Sequence, residues 1–210
     1  METKQKEISE LSKKHLKLET LMYRVNKDSL KQVHTAQMQK KASGIDGVTK
    51  QDYEKNLDEN LEELIKRMKT FSYRPQPVRR TYIPKGNGKM RPLGIPAYED
   101  RLVQGVMANI LNEVYEPRFL DCSYGFRPGR SAHDAIRDIN QTLMCRRVNY
   151  ILDCDIKGFF DNVNHEWLMK FLEHDIADKN FLRYVKRFLK AGIMEKGIYS
   201  ESSVGTPQGG

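Results

Sequence analysis

Apolar positions along the chain follow two spacings, and each predicts its own kind of element. Over residues 1–41, Leu11, Leu18, Leu21, Met22, Val25 and Leu30 recur at near-helical intervals with no Gly or Pro between them. That spacing predicts a helical segment. Gly44-Ile-Asp-Gly47 is a turn. Thr49 then reads as an N-cap, with Asp52 three residues on to complete a capping box. The helix that follows is expected over 50–70, with Tyr53, Leu57, Leu61, Leu64, Ile65 and Met68 on one face. Its acids come early and its bases late, as the helix dipole prefers.

The period shortens to two at residue 78. Val78, Arg80 and Tyr82 alternate with Arg79, Thr81 and Ile83, which predicts a strand. Lys85-Gly-Asn-Gly-Lys89 is a hairpin turn, because Asn-Gly accepts the positive φ values such a turn needs. Residues 90–96 return as the partner strand, placed at a sheet edge by Pro92 and Pro96. Helical spacing resumes over 100–115, then after a Ser131 cap with Asp134 three residues on, and again over 166–174 and 179–190. Asn149 to Asp155 predicts a short buried strand ending in acids, and Gly197 to Ser200 opens another. The expected fold class is α+β with helices outweighing strands.

Composition narrows the class. The chain has 210 residues, 39% of them apolar and 30% charged, enough to bury a core. No stretch approaches the ~20 apolar residues of a membrane span. The opening METKQKEISE lacks the apolar centre of a secretory signal, so a cytoplasmic location without a membrane partner is expected. Cys122, Cys145 and Cys154 form no Cys-x-x-Cys pair and read as free thiols.

Charge sharpens the picture further. The net charge is +8, a balance that suits a polyanionic partner. From Leu64 to Tyr98 there is no Asp or Glu, yet the window holds Lys66, Arg67, Lys69, Arg74, Arg79, Arg80, Lys85, Lys89 and Arg91. Phe71, Tyr73, Tyr82 and Tyr98 are interleaved with them. This reads as a phosphate-backbone track with stacking platforms, against the plainer alternative of a generic basic surface.

The strongest chemical signal runs from Tyr150 to Asp161. On a strand, Asp153 and Asp155 would share a face. A carboxylate there can ligate Mg²⁺, and two such ions about 3.5–4 Å apart would serve phosphoryl transfer. The alternative is that Asp153 and Asp161 bond to backbone or pair with Lys157 or His165. His133 and His165 read as structural hydrogen-bonding residues, Cys154 as core and Trp167 as buried.

Six stretches together resemble the reverse transcriptases of bacterial group II introns, the intron-encoded maturases. They are Ser43 to Thr49 with the helical extension before it, Tyr82 to Pro96, Asp100 to Gln104, Ser123 to His133, Asp155 to Asp161, and Gly205 to Gly210. The resemblance implies right-hand polymerase fingers plus an incomplete palm, helix-rich, with a β-hairpin and a short antiparallel palm sheet. The expected division is a helical extension at 1–48, fingers at 49–145 and partial palm at 146–210. Asp155 matches the catalytic, metal-binding aspartate. Lys85 and Arg91 match the cations that hold the incoming triphosphate. Phe160 matches the ring under the nucleotide sugar, with Phe159 the alternative one register away. Gln208 matches a glutamine near the nucleotide, with Gly209 and Gly210 permitting close approach. Arg79, Arg80 and Lys89 fit RNA-backbone contacts. Arg127 and Arg130 fit either template contacts or carbonyl bonds that stiffen their own loop.

The implied cofactor is Mg²⁺ in the complete protein. The implied partners are structured intron RNA, template RNA, a DNA primer and deoxynucleotides, in splicing and retromobility. Apolar surface left bare in a partial palm would favour a homodimer. The family's Tyr-x-Asp-Asp turn does not occur in the sequence, and Pro207 to Gly210 reads as a stop inside a motif. RNA binding without polymerisation is therefore expected of these 210 residues alone. The other readings are an RNA-binding splicing module, or a reverse transcriptase of a retron, CRISPR-associated or diversity-generating lineage. The Gly-Ile-Asp-Gly-Val-Thr block favours the intron type.

Overall fold

The computed structural model describes residues 2–14, 17–84, 86 and 88–206, with side chains from residue 8 onward. Its helices are α1 (Glu2–Lys13), α2 (Lys27–Ala36), α3 (Lys50–Glu54), α4 (Leu57–Lys69), α5 (Tyr98–Tyr115), α6 (Ala132–Cys145), α7 (His165–Asp175) and α8 (Lys179–Leu189). Its strands are β1 (Val78–Pro84), β2 (Met90–Ile95), β3 (Ile193–Glu195) and β4 (Ile198–Ser200). This is the mixed α+β arrangement expected from the sequence. The chain forms two compact units: 1–16 with 111–157, and 17–110 with 158–210. Among the described residues no helix is long and apolar enough to cross a membrane.

In the larger unit the sheet runs β2-β1-β3-β4. β1 pairs antiparallel with β2 from Arg79 opposite Ile95 to Pro84 opposite Met90. It pairs parallel with β3, and β3 pairs antiparallel with β4. The proline-bearing β2 lies at the edge, where a missing N–H breaks no ladder. Gly88 takes φ 75° in the turn, as a tight hairpin requires. Leu30, Leu61, Leu64, Tyr73, Leu102, Val103, Phe181 and Tyr184 form the buried centre of this unit. Asp178 ties it together with one carboxylate. Its Oδ1 accepts the amides of Asn180 and Phe181 at the start of α8, and its Oδ2 accepts those of Leu21 and Met22.

Helix starts follow the expected caps. Thr49 with Asp52 and Ser131 with Asp134 both form complete capping boxes. Two expected helices are broken. The 50–70 helix interrupts at Lys55–Asn56, where Asn56 leaves helical geometry at ψ 47°. Asn is a poor helix former because its side chain competes for the backbone. The Tyr53 carbonyl freed by the break accepts from the Asn60 side chain at 3.0 Å. Over residues 1–41, α1 and α2 are separate helices; between them Leu18 bridges to Ile176 and Met22–Arg24 form a 3-10 turn. Asn26 restarts the helix with its own capping box to Ser29.

The strand expected over 149–155 is not formed. Tyr150 is 93% exposed and Leu152 87%, with no partner strand beside them among the described residues. A fully buried strand needs a ladder on its flanks and cover on its faces. Cys154, expected in the core, is exposed for the same reason. Trp167, expected to be buried, is 57% exposed. It shares the outer stripe of α7 with Phe171, one turn on, while Leu172 faces the core. Lys170 Nζ covers the Trp167 ring at 4.6 Å.

Candidate nucleic-acid interface

The β1–β2 register sorts the hairpin cations onto two faces. Arg79, Thr81 and Ile83 share a face with Arg91, Leu93 and Ile95, while Arg80 and Tyr82 share the other with Pro92 and Gly94. Arg91 and Lys89 are exposed and Arg80 is half-buried. Lys85 lies outside the described residues. Arg79 is already engaged, since its Nε and Nη2 donate to the Ser43 carbonyl at 3.1 and 2.6 Å. It ties the Ser43–Gly44 turn to β1 and is half-buried. The Tyr82 hydroxyl donates to Glu195 Oε1 at 2.8 Å, which raises the phenol pKa chiefly through that hydrogen bond. Glu195 is the carboxylate that sequence reading did not bring to this face.

A second feature of the larger unit joins two of the quoted stretches. The chain turns at 158–161, and Gly205 and Thr206 close against that turn. The Thr206 amide donates to the Phe160 carbonyl at 2.7 Å and the Gly205 amide to Val163 O at 2.8 Å. His165 Nε2 lies 2.7 Å from the Gly205 carbonyl, the structural hydrogen bond expected of it. Phe159 and Phe160 stand edge to face with ring centroids 5.4 Å apart. Phe160 is the less exposed of the two, at 39% against 52%. Gln208 lies outside the described residues.

In the smaller unit the 119–130 loop is built around Arg127, whose side chain is only 6% exposed. Its Nη1 donates to the carbonyls of Leu120 and Ser123, both at 2.8 Å, and its Nη2 to Glu116 Oε1 at 2.8 Å. Its guanidinium also covers the Phe119 ring. That is the loop-stiffening arrangement, and it leaves Arg127 no face for a template. Arg130 donates to the Asp121 carbonyl at 2.6 Å and stacks on Tyr124. Phe126, not singled out from the sequence, stands fully in solvent at the loop tip.

Asp153, Asp155 and Asp161 are all exposed. The described residues bring together no group of three His, Cys, Asp or Glu able to hold a metal ion. Asp155 therefore stands outside any such group among the described residues.

Residues 83–210 match the family described as reverse transcriptase (RNA-dependent DNA polymerase), more than half of the chain. The chain belongs to the reverse transcriptase family. Protein YkfC of Escherichia coli (strain K12) is 41% identical over 170 residues, covering 80% of this chain and 45% of that protein. The group II intron-encoded protein LtrA of Lactococcus lactis subsp. cremoris is 44% identical over 154 residues, 73% of this chain and 25% of LtrA. This reverse transcriptase chain therefore spans under half the length of those curated relatives. A solved structure, a partial Cas6-RT-Cas1–Cas2 complex, aligns with TM-score 0.56 at 22% identity, over 89% of this chain and 31% of its own. At that identity it shows the shared fold alone.

Proposed function

We propose that the chain is the fingers and partial palm of an RNA-directed DNA polymerase of the group II intron type, working in a reducing cytoplasm. In this reading it binds intron and template RNA, and in the longer protein assists splicing and retromobility. The observation that carries the proposal is the acid-free hairpin. Arg80, Lys89 and Arg91 stand on or beside two paired strands whose own residues include no carboxylate, and a run of cations along one hairpin can neutralise successive phosphates. Family membership supplies the polymerase reading, and kinship with an intron-encoded protein favours the intron lineage over retron, CRISPR-associated or diversity-generating ones.

The site residues take roles within that reading. Arg91 and Lys85 meet the triphosphate of an incoming deoxynucleotide, where fixed cations stabilise charge developing on the leaving group. Phe160, held by the Thr206 amide through its own carbonyl, sits under the nucleotide sugar. Gln208 lies nearby. Asp155 would hold a divalent cation in the longer protein, and the ion would supply charge stabilisation for phosphoryl transfer. The 210 residues by themselves bind RNA without extending a DNA primer. The test is Asp155→Asn in a longer protein carrying this chain: primer extension on an RNA template is lost while RNA binding stays. Retention of synthesis would remove Asp155 from the active site.

A further inference from the structure

The larger unit carries a second basic feature, outside the hairpin. On α8 and its C-cap Lys190, Arg183, Lys186, Arg187 and Lys190 fall at i, i+3, i+4 and i+7, a single stripe about 10 Å long. The opposite side of α8 is buried through Phe181, Tyr184 and Leu189. The Tyr184 hydroxyl donates to the Met68 carbonyl at 2.7 Å, which fixes α8 against the end of α4. The stripe thereby faces Arg74, at the other side of a cleft of about 500 Å³.

The cleft is pre-organised for anions. Phe71 takes φ 57° just past α4, and the Tyr73 amide turns back to the Arg67 carbonyl at 3.0 Å. That turn presents backbone carbonyls to the arginines. Arg74 Nη1 donates to Phe71 O at 2.6 Å, and Arg187 Nη1 to Tyr73 O at 2.8 Å. The Arg183 guanidinium lies 4.1 Å from the Phe71 ring centroid, a stacking that leaves its N–H edge for an acceptor. Pro75 and Pro77 stiffen the wall between them.

No acid balances this charge. Lys27, by contrast, is paired with Asp58 and Glu62, and Arg67 with Glu99. Among the described residues no carboxylate lines the cleft or pairs with any of its five cations. Burial, and behind it the like charge of Arg74, holds the Arg187 guanidinium below its ordinary pKa. Five positive charges in one concavity repel one another, and a bound polyanion relieves that cost.

We propose that the cleft between α8 and residues 74–77 is an RNA-backbone site, in which Arg74, Arg183, Lys186, Arg187 and Lys190 receive phosphate oxygens. The choice of RNA rests on the function proposed above, while the cleft's taste for phosphates rests on its own geometry. It makes the binding surface larger than the hairpin, and phosphate contacts of this kind carry no sequence information.

The test is fluorescence anisotropy of the chain with a labelled double-stranded RNA across a potassium chloride titration. Three proteins are compared: the natural chain, R183E/K186E/K190E in the cleft, and R80E/K89E/R91E on the hairpin. The cleft variant should lose about tenfold or more in affinity and lower the salt slope by about 3, near one per phosphate contact. K186A/K190A, which changes only exposed side-chain ends, should lower the slope by about 2 and guards against misfolding of the triple variant. Natural affinity and slope in both cleft variants, with binding weakened only by the hairpin variant, would overturn the cleft and leave the proposed function standing. Absence of RNA binding by the natural chain would overturn both. Equal competition by poly-L-glutamate, with the same dependence on the cleft residues, would overturn the assignment to RNA.

Discussion

His165 Nε2 lies 2.7 Å from the Gly205 carbonyl oxygen, so that ring and backbone join two motifs separated by a whole pair of helices. The neutral ring must carry its proton on Nε2 to donate there. The contact holds Gly205 and Thr206 against the turn that presents Phe159 and Phe160.

Gly205 should therefore resist substitution. It takes φ 78°, and a Cβ would sit 2.8 Å from the Asp161 carbonyl oxygen. Gly205→Ala is expected to destabilise by more than about 1 kcal/mol in chemical denaturation. The Thr206 amide should at the same time lose protection in hydrogen exchange. Unchanged Thr206 protection in the variant would mean that the clasp is not held at this residue.

Asp100 predicts a pH dependence of stability. It accepts the Tyr73 hydroxyl and, at 2.8 Å, the Gln76 amide. Burial nonetheless pushes its carboxyl up to about 6 from 3.8. A folded pKa above the unfolded one means that the native state binds the proton first. The contribution is thus fully present below pH 4 and lost as pH rises through about 6. The stability of the natural chain minus that of Asp100→Asn should fall by on the order of 2 kcal/mol between pH 4 and pH 7. A difference that is flat across that window would contradict the assignment.

Arg127 should behave as a stiffener of its loop. Arg127→Ala leaves the carbonyls of Leu120 and Ser123 without their donor and Glu116 without its partner. Trypsin should cut at Arg118 or Arg130 sooner, and the unfolding midpoint should fall by a few degrees. Arg127→Lys should rescue little, because an ammonium cannot reproduce the planar fork. RNA affinity lost with no change in proteolysis would place Arg127 in a binding role instead.

Much of this was legible in the sequence where the signal is local. The hairpin follows from a period of two closed by Asn-Gly, and the starts of α3 and α6 from Thr49 with Asp52 and Ser131 with Asp134. What depends on neighbours was not. Residues 149–155 carry a buried strand's composition, but composition supplies no ladder partner. β3 has three residues and no pattern to recognise. α2 and α4 restart at Asn26 and Asn56 inside an apolar period that runs straight through the breaks before them. For the site, the acid-free window located the hairpin cations, but not the bond of Arg79 to the Ser43 carbonyl. The α8 stripe reads as a solvated face until folding sets it beside Arg74, far away in sequence.

In the function proposed above, this reverse transcriptase chain grips the RNA backbone through its hairpin. The most direct measurement of that grip is the RNA affinity of the natural chain and of R80E/K89E/R91E as a function of salt. The account predicts a steep salt dependence for the natural chain, and a slope shallower by about 3 with at least a tenfold loss of affinity at about 0.05 M salt for the variant. Equal affinity and equal slope in the two proteins would contradict it.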